Sequence, residues 1–92
     1  MLTLKLTGQF RKDYKLAKKR GLDIPLLELV IDTLLEEKPL DEKYRDHALT
    51  GNYHGFRECH IQPDWLLIYR VERNALVLIA ARTGTHSDLF SY

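Results

Sequence analysis

FRECHIQPDWLLIYRV, residues 56–71, decides how the second half of the chain folds. Residues 56–61 read as one strand and 65–71 as a second, with Pro63-Asp64 breaking the chain between them. Side chains alternate along a strand, so Phe56, Glu58 and His60 share one face while Arg57, Cys59 and Ile61 share the other. A short Glu72-Arg73-Asn74 turn leads into a third strand at 75–82. Gly84 ends that strand and leaves a short tail carrying His86. Chain ends are usually frayed, so His86 is either a surface residue or one whose tail the fold ties down.

The first half supplies helices. Leu2-Thr3-Leu4-Lys5-Leu6 alternates like a half-buried strand. Thr7 then serves as N-cap of a helix in which Phe10, Tyr14 and Ala17 fall on one face. Arg11, Lys12, Lys15, Lys18 and Lys19 crowd the opposite side as a cationic ridge, and Gly21 is a suitable stop. Asp23-Ile24-Pro25 opens a second helix, with a capping acceptor and a proline in the first turn. Ile24, Leu27, Val30, Ile31 and Leu34 form its apolar stripe, broadened by Leu26 and Leu35. Leu29 points away, as a stray leucine or part of a partner surface. Residues 38–54, with His47, His54, Pro39 and Gly51, form a connection long enough to suggest a functional loop. The order β-α-α-β-β-β predicts one α+β domain over residues 1–92. Both helices lie on one face of a small, mostly antiparallel sheet.

At 92 residues, 45% of them apolar, the chain has one modest core and too much hydrophobicity for disorder. Cys59 is the single cysteine, which excludes an internal disulfide and a thiolate metal cluster. No signal-peptide pattern opens the chain, and no apolar run approaches the roughly 20 residues of a membrane span. A soluble cytosolic domain is the expectation. Net charge is only +1, but residues 10–20 hold six bases and one acid, and residues 36–46 hold five acids and three bases. A polyanion would therefore meet a local basic face.

If the strands form consecutive hairpins, His60 and Asp64 lie at the end of the sheet that Arg82 also reaches, with His86 just beyond. Cleavage of RNA through its own 2′-hydroxyl would want such groups. It needs a base for that proton, an acid for the departing 5′-oxygen, and a cation for the phosphate. Imidazole can fill either proton role near neutrality, and Arg82 could grip a phosphate bidentately. Phe90 or Trp65 could stack a base. Blander readings stand beside these. Trp65 is first a packing residue, the lysine ridge a solvated face, and Cys59 a small buried hydrophobe. Histidines and Asp64 are legal zinc ligands, yet no HxxxH or CxxC spacing supports a metal.

Three segments together carry a resemblance. YRDHALTG (44–51), GFRECHIQPDWLLIY (55–69) and RTGTHSDLF (82–90), in this order, resemble the YafQ branch of the RelE/ParE toxin superfamily. The resemblance implies a RelE-like fold with two helices on a curved antiparallel sheet. It implies a toxin of a type II toxin–antitoxin pair, a ribosome-dependent endonuclease cutting mRNA in the ribosomal A site, without metal or other cofactor. By position it assigns catalysis to His47, His60, Asp64, Arg82 and His86, with Trp65 and Phe90 near the substrate. His86 would be the general acid, His47 or Asp64 the base or its orienter, and His60 and Arg82 the phosphate holders. Acid and base could exchange among these residues. Lys12, Lys15, Lys18 and Lys19 would contact ribosomal RNA. The implied partners are a cognate DinJ/RelB-like antitoxin of ribbon-helix-helix type, the ribosome and its mRNA, and operator DNA only through the antitoxin. No membrane is implied. His54 matches no site position. The alternatives are a non-enzymatic, ParE-like toxin that binds a protein such as gyrase, and an inactive member serving only as antitoxin partner. The histidine set argues against both.

Overall fold

The two hairpins expected from residues 56–82 form the middle of a five-stranded sheet. The computed structural model describes residues 1–90. In chain order the elements are β1 (Thr3–Leu6), α1 (Gly8–Lys19), α2 (Ile24–Leu35), β2 (His47–Ala48), β3 (Arg57–Gln62), β4 (Trp65–Glu72), β5 (Val77–Gly84) and α3 (His86–Phe90). The sheet order is β1-β5-β4-β3-β2, with β1 parallel to β5 and the other pairs antiparallel. This is the expected α+β fold with three additions. The long connection contains β2 and two 3-10 turns, Glu42–Tyr44 and Gly51–Tyr53, and the short tail is helical.

Local chemistry explains the helices. Thr7 Oγ1 accepts from Phe10 N at 3.0 Å and donates to the Ala81 carbonyl at 2.7 Å. One hydroxyl thus caps α1 and ties it to β5. Asp23 accepts from Leu26 N at 3.2 Å, with Pro25 in the first turn of α2. Both helices press on one sheet face, where Phe10, Ala17, Leu27, Val30 and Ile31 meet Cys59, Ile61, Leu67, Tyr69, Leu78 and Ala80. Leu29 is exposed. Burial also pushes the Cys59 thiol well above its ordinary pKa, which leaves it an inert core group. Among the described residues no helix is long and apolar enough to cross a membrane.

The opposite sheet face is only partly covered. Leu66, Ile68, Ala81 and Leu89 form a second cluster there, with Leu49, Tyr53, Phe56 and Phe90 around it. Opposing pairs shift from Ile68↔Arg82 to Tyr69↔Ala80, so Ala81 is an extra, bulged residue. Covered on both faces, β4 reads as the near-continuous apolar run WLLIY instead of an alternation.

Trp65 lies in the main core beneath the helices, which corrects its assignment as a substrate-stacking residue. It is 2% exposed, and its indole Nε1 donates to Thr83 Oγ1 at 2.9 Å. That hydroxyl passes its own proton to the Leu66 carbonyl at 2.7 Å. No ring face is left for a base. Trp65→Phe should therefore lower the unfolding free energy by about 1–3 kcal/mol, from the lost hydrogen bond and the lost volume. Urea denaturation of the two proteins measures it.

Candidate functional site

The partly covered sheet face carries the titratable groups. Register places His47 of β2, Glu58 of β3, Ile68 of β4 and Arg82 of β5 in one cross-strand row. The next row runs His60, Leu66, Gly84, and α3 begins at His86 just past its end. The imidazoles of His47 and His60 lie 6.2 Å apart, centroid to centroid, those of His60 and His86 5.6 Å. Phe90 follows at 6.5 Å from His86 and meets Tyr53 edge-on at 5.8 Å. Three of the four histidines thus converge, and His54 sits exposed at the end of a 3-10 turn.

Each imidazole is set differently. His47 Nδ1 lies 2.7 Å from the Arg45 carbonyl, which can only accept, so Nδ1 carries the proton and Nε2 is left for chemistry. The loop bearing His47 is pinned by Asp46, whose Oδ1 accepts from Tyr69 OH at 2.6 Å and Arg57 Nε at 3.2 Å. His86 Nδ1 lies 2.6 Å from Asp64 Oδ1, and the same oxygen accepts the His86 amide at 3.0 Å. The Asp64 carboxylate fixes the ring's tautomer, with the proton on Nδ1. Its pKa is held below the usual carboxylate range by the backbone bond first and the ring bond next. His60 is the most enclosed of the three. Burial pulls its pKa below the ordinary value, His86, His47 and Arg45 push the same way, and Glu58 opposes them.

Glu58 is the residue that sequence reasoning overlooked, although it shares a strand face with His60. It is 5% exposed, and its Oε1 lies 3.7 Å from His60 Nε2 and 3.9 Å from His47 Nε2. Glu58, His60 and His86 also bring one donor atom each to within 4.8 Å of one another. This is a nitrogen- and oxygen-rich set that could hold a transition metal.

The tail bearing His86 is tied down. Asp88 Oδ2 accepts from Thr85 N at 3.0 Å while Asp88 N donates to Thr85 Oγ1 at 3.1 Å. Arg20 at the end of α1 grips the same carboxylate at 2.6 Å and holds its pKa far below the usual range. A side chain on Gly84 would meet Asp88 at 3.0 Å, so glycine permits the close return. Leu89 is buried beneath.

Arg82 is only partly where expected. Its Cα sits in the histidine row, but its guanidinium is forked onto Asp13 of α1, Nε to Oδ2 at 2.7 Å and Nη2 to Oδ1 at 3.2 Å. Asp13, 9% exposed, also accepts from Thr83 N and Gln9 Nε2. The signal for it was present: it is the one acid in a basic run and falls on the apolar face of its helix. Lys12, Lys15, Lys18 and Lys19 are all exposed. A cleft of about 610 Å³ opens beside His60 and His86, toward α2 and the first 3-10 turn.

His60 should titrate below 6.5 when its ring proton is followed by NMR. The unfolded chain then holds more protons than the folded one between that lowered pKa and 6.5, so stability falls as pH drops through the window. Glu58→Gln, which removes the opposing charge, should lower the His60 midpoint further. A midpoint unmoved or raised by Glu58→Gln would contradict the geometry.

Residues 2–91 match the family model described as bacterial toxin of type II toxin–antitoxin system, YafQ. The mRNA interferase toxin YafQ of Escherichia coli K12 is 41% identical over 88 residues, covering 95% of this chain and 94% of the relative. A metal-bound toxin from Helicobacter pylori is 44% identical with a TM-score of 0.93, covering 98% of this chain and all of the other. A chain of the E. coli DinJ–YafQ complex is 40% identical with a TM-score of 0.88, covering 98% and 99%.

Proposed function

The chain belongs to the YafQ family of bacterial type II toxins, and from that premise and the site's geometry we infer that it is an mRNA endonuclease. Its antitoxin is of the DinJ type, by analogy with the related complex. The observation that carries the mechanism is the His86–Asp64 pair beside two further imidazoles whose Nε2 atoms face one carboxylate.

The reaction follows from which nitrogen each ring leaves available. The RNA 2′-oxygen attacks the adjacent phosphorus while its proton passes to His47 Nε2. The bond from phosphorus to the 5′-oxygen breaks, and that oxygen takes the proton carried by His86 Nε2. Asp64 keeps Nδ1–H in place throughout, and serves His86 as orienter. The products are a 2′,3′-cyclic phosphate and a 5′-hydroxyl. His60, beside Glu58, lies where the phosphate oxygens gain charge, and Arg82 contributes the guanidinium donors that Asp13 leaves open. A divalent metal on Glu58, His60 and His86 would polarise a phosphate oxygen, but it would engage the same nitrogens that proton transfer uses. Metal-free acid–base chemistry is therefore the mechanism we favour.

A net charge of only +1 suits an mRNA positioned by the ribosome in its A site. The exposed lysines of α1 would meet ribosomal RNA phosphates. A cytoplasmic location fits action on translating ribosomes.

Inducing wild type and His86→Ala in cells, with primer extension on a reporter mRNA, tests the reading. Wild type should create new mRNA ends, and the variant should cut about 10²–10⁴-fold more slowly, the usual worth of a positioned acid. Growth arrest without new ends would point to a protein target instead.

A further inference from the structure

The cleft beside His60 and His86 extends well past the imidazoles, and the mechanism above leaves most of it unused. Leu26, Tyr44, Ile61 and Pro63 form its apolar walls, with Lys43, Arg45 and Gln62 at its polar edge. At about 610 Å³ it lies within the roughly 300–1,000 Å³ of small-ligand sites.

Arg45 is the unusual member. It is a non-glycine residue in the left-handed region, φ 50° and ψ 43°. Such backbone persists where the surroundings enforce it, often at functional sites. Here its amide closes the 3-10 turn onto Glu42 at 3.0 Å, and its carbonyl holds His47 Nδ1 at 2.7 Å. Those bonds fix where the Cα–Cβ bond leaves the backbone, and the side chain lines the cleft near enough to His60 to act on its charge. No carboxylate partners the Arg45 guanidinium among the described residues, whereas Arg20, Arg57, Arg73 and Arg82 each have one. Lys43 stands beside it, its Nζ 5.2 Å over the Tyr44 ring. An unpaired guanidinium, a second cation and an aromatic wall next to two imidazoles suit a phosphate joined to a base.

We propose that this cleft is a second nucleotide subsite, taking the RNA residue next to the scissile bond, with Arg45 as its phosphate-binding cation. The base packs on Tyr44, Leu26 and Pro63, and the Gln62 amide reads its edge. Arg82 has its Nε and one Nη2 donor committed to Asp13, whereas Arg45 faces no carboxylate among the described residues. The proposal rests on the nuclease reading above and adds where the substrate strand leaves the reacting phosphate.

Cleavage of mRNA on programmed ribosomes by wild type, Arg45→Gln, Arg45→Lys and Arg73→Gln tests it, with thermal melts confirming that each variant folds. Arg45→Gln should raise the half-saturating substrate concentration about tenfold and leave the saturating rate within about twofold, the signature of lost uniform binding. Arg45→Lys should recover most of the loss. Arg73→Gln, at the far turn, removes the same charge and should match wild type. Unchanged half-saturation in Arg45→Gln would overturn the subsite. So would a collapse of the saturating rate alone, which would make Arg45 a support for His47 only. Wild type that cuts nothing would sink the nuclease reading, and binding would then decide the cleft separately. A short RNA with a 2′-deoxy residue at the cut position should shift the Ile61 and Gln62 amide NMR signals in wild type, and an absence of shift would overturn the subsite.

Discussion

A single buried carboxylate joins the helical layer to the end of the sheet that carries the candidate site. Asp13 accepts from Arg82, the Thr83 amide and Gln9, so its charge is fully met although it is almost out of water. A buried charge is tolerable only under that condition. The Thr83 it holds is the residue whose hydroxyl links Trp65 to the Leu66 carbonyl. Two turns further along α1, Arg20 holds Asp88 on the other side of Gly84. One helix therefore clamps the chain before and after the bend that delivers His86, and a five-residue helix too short to be stable alone becomes a fixed platform.

The three imidazoles share a face but not an environment, and such a difference would let similar groups do different work. His86 is oriented by a carboxylate at the surface, His47 by a backbone carbonyl. His60 lies deeper, with its Nδ1 buried and lacking a hydrogen-bond partner among the described residues. Burial favours its neutral form, and Glu58 limits how far that shift goes. A carboxylate placed between two rings also gives a proton arriving on either one a nearby counter-charge.

What the sequence made legible was whatever repeats with a period or sits at a cap. Alternation marked β1 and β3, apolar stripes marked α1 and α2, and Thr7 and Asp23 cap as their chemistry dictates. β2 has two residues and α3 five, too few for any period to show, and each is held by partners distant in sequence. The positions of His60, Asp64 and His86 could be anticipated because the hairpins fix which residues share an end, whereas His47 came only from the family resemblance. The packing reading of Trp65 held, but its bond to Thr83 across the hairpin carried no sequence signal, and the fate of Arg82 could not be anticipated because it depends on Asp13 in a different layer. Glu58 was on the right face throughout, but an acid beside histidines has no pattern of its own until register sets it between His47 and His60.

That same pairing explains why a nearly neutral chain can still face a polyanion. Net charge counts Arg20, Arg57, Arg73 and Arg82, yet each of these is matched by Asp88, Asp46, Glu37 or Asp13 within the fold. Lys12, Lys15, Lys19 and Arg45 have no such carboxylate among the described residues, and all four are exposed. Their field is not cancelled at contact range, where screening by salt leaves only near neighbours to matter. The acids that balance the total are largely internal to ion pairs or sit in the 36–46 segment. Charge arrangement, rather than the sum of +1, therefore decides what this surface attracts. The cations divide into those paired within the fold, with Arg20 and Arg82 at the two ends of the bend, and those such as Lys12 and Arg45 that have no carboxylate among the described residues.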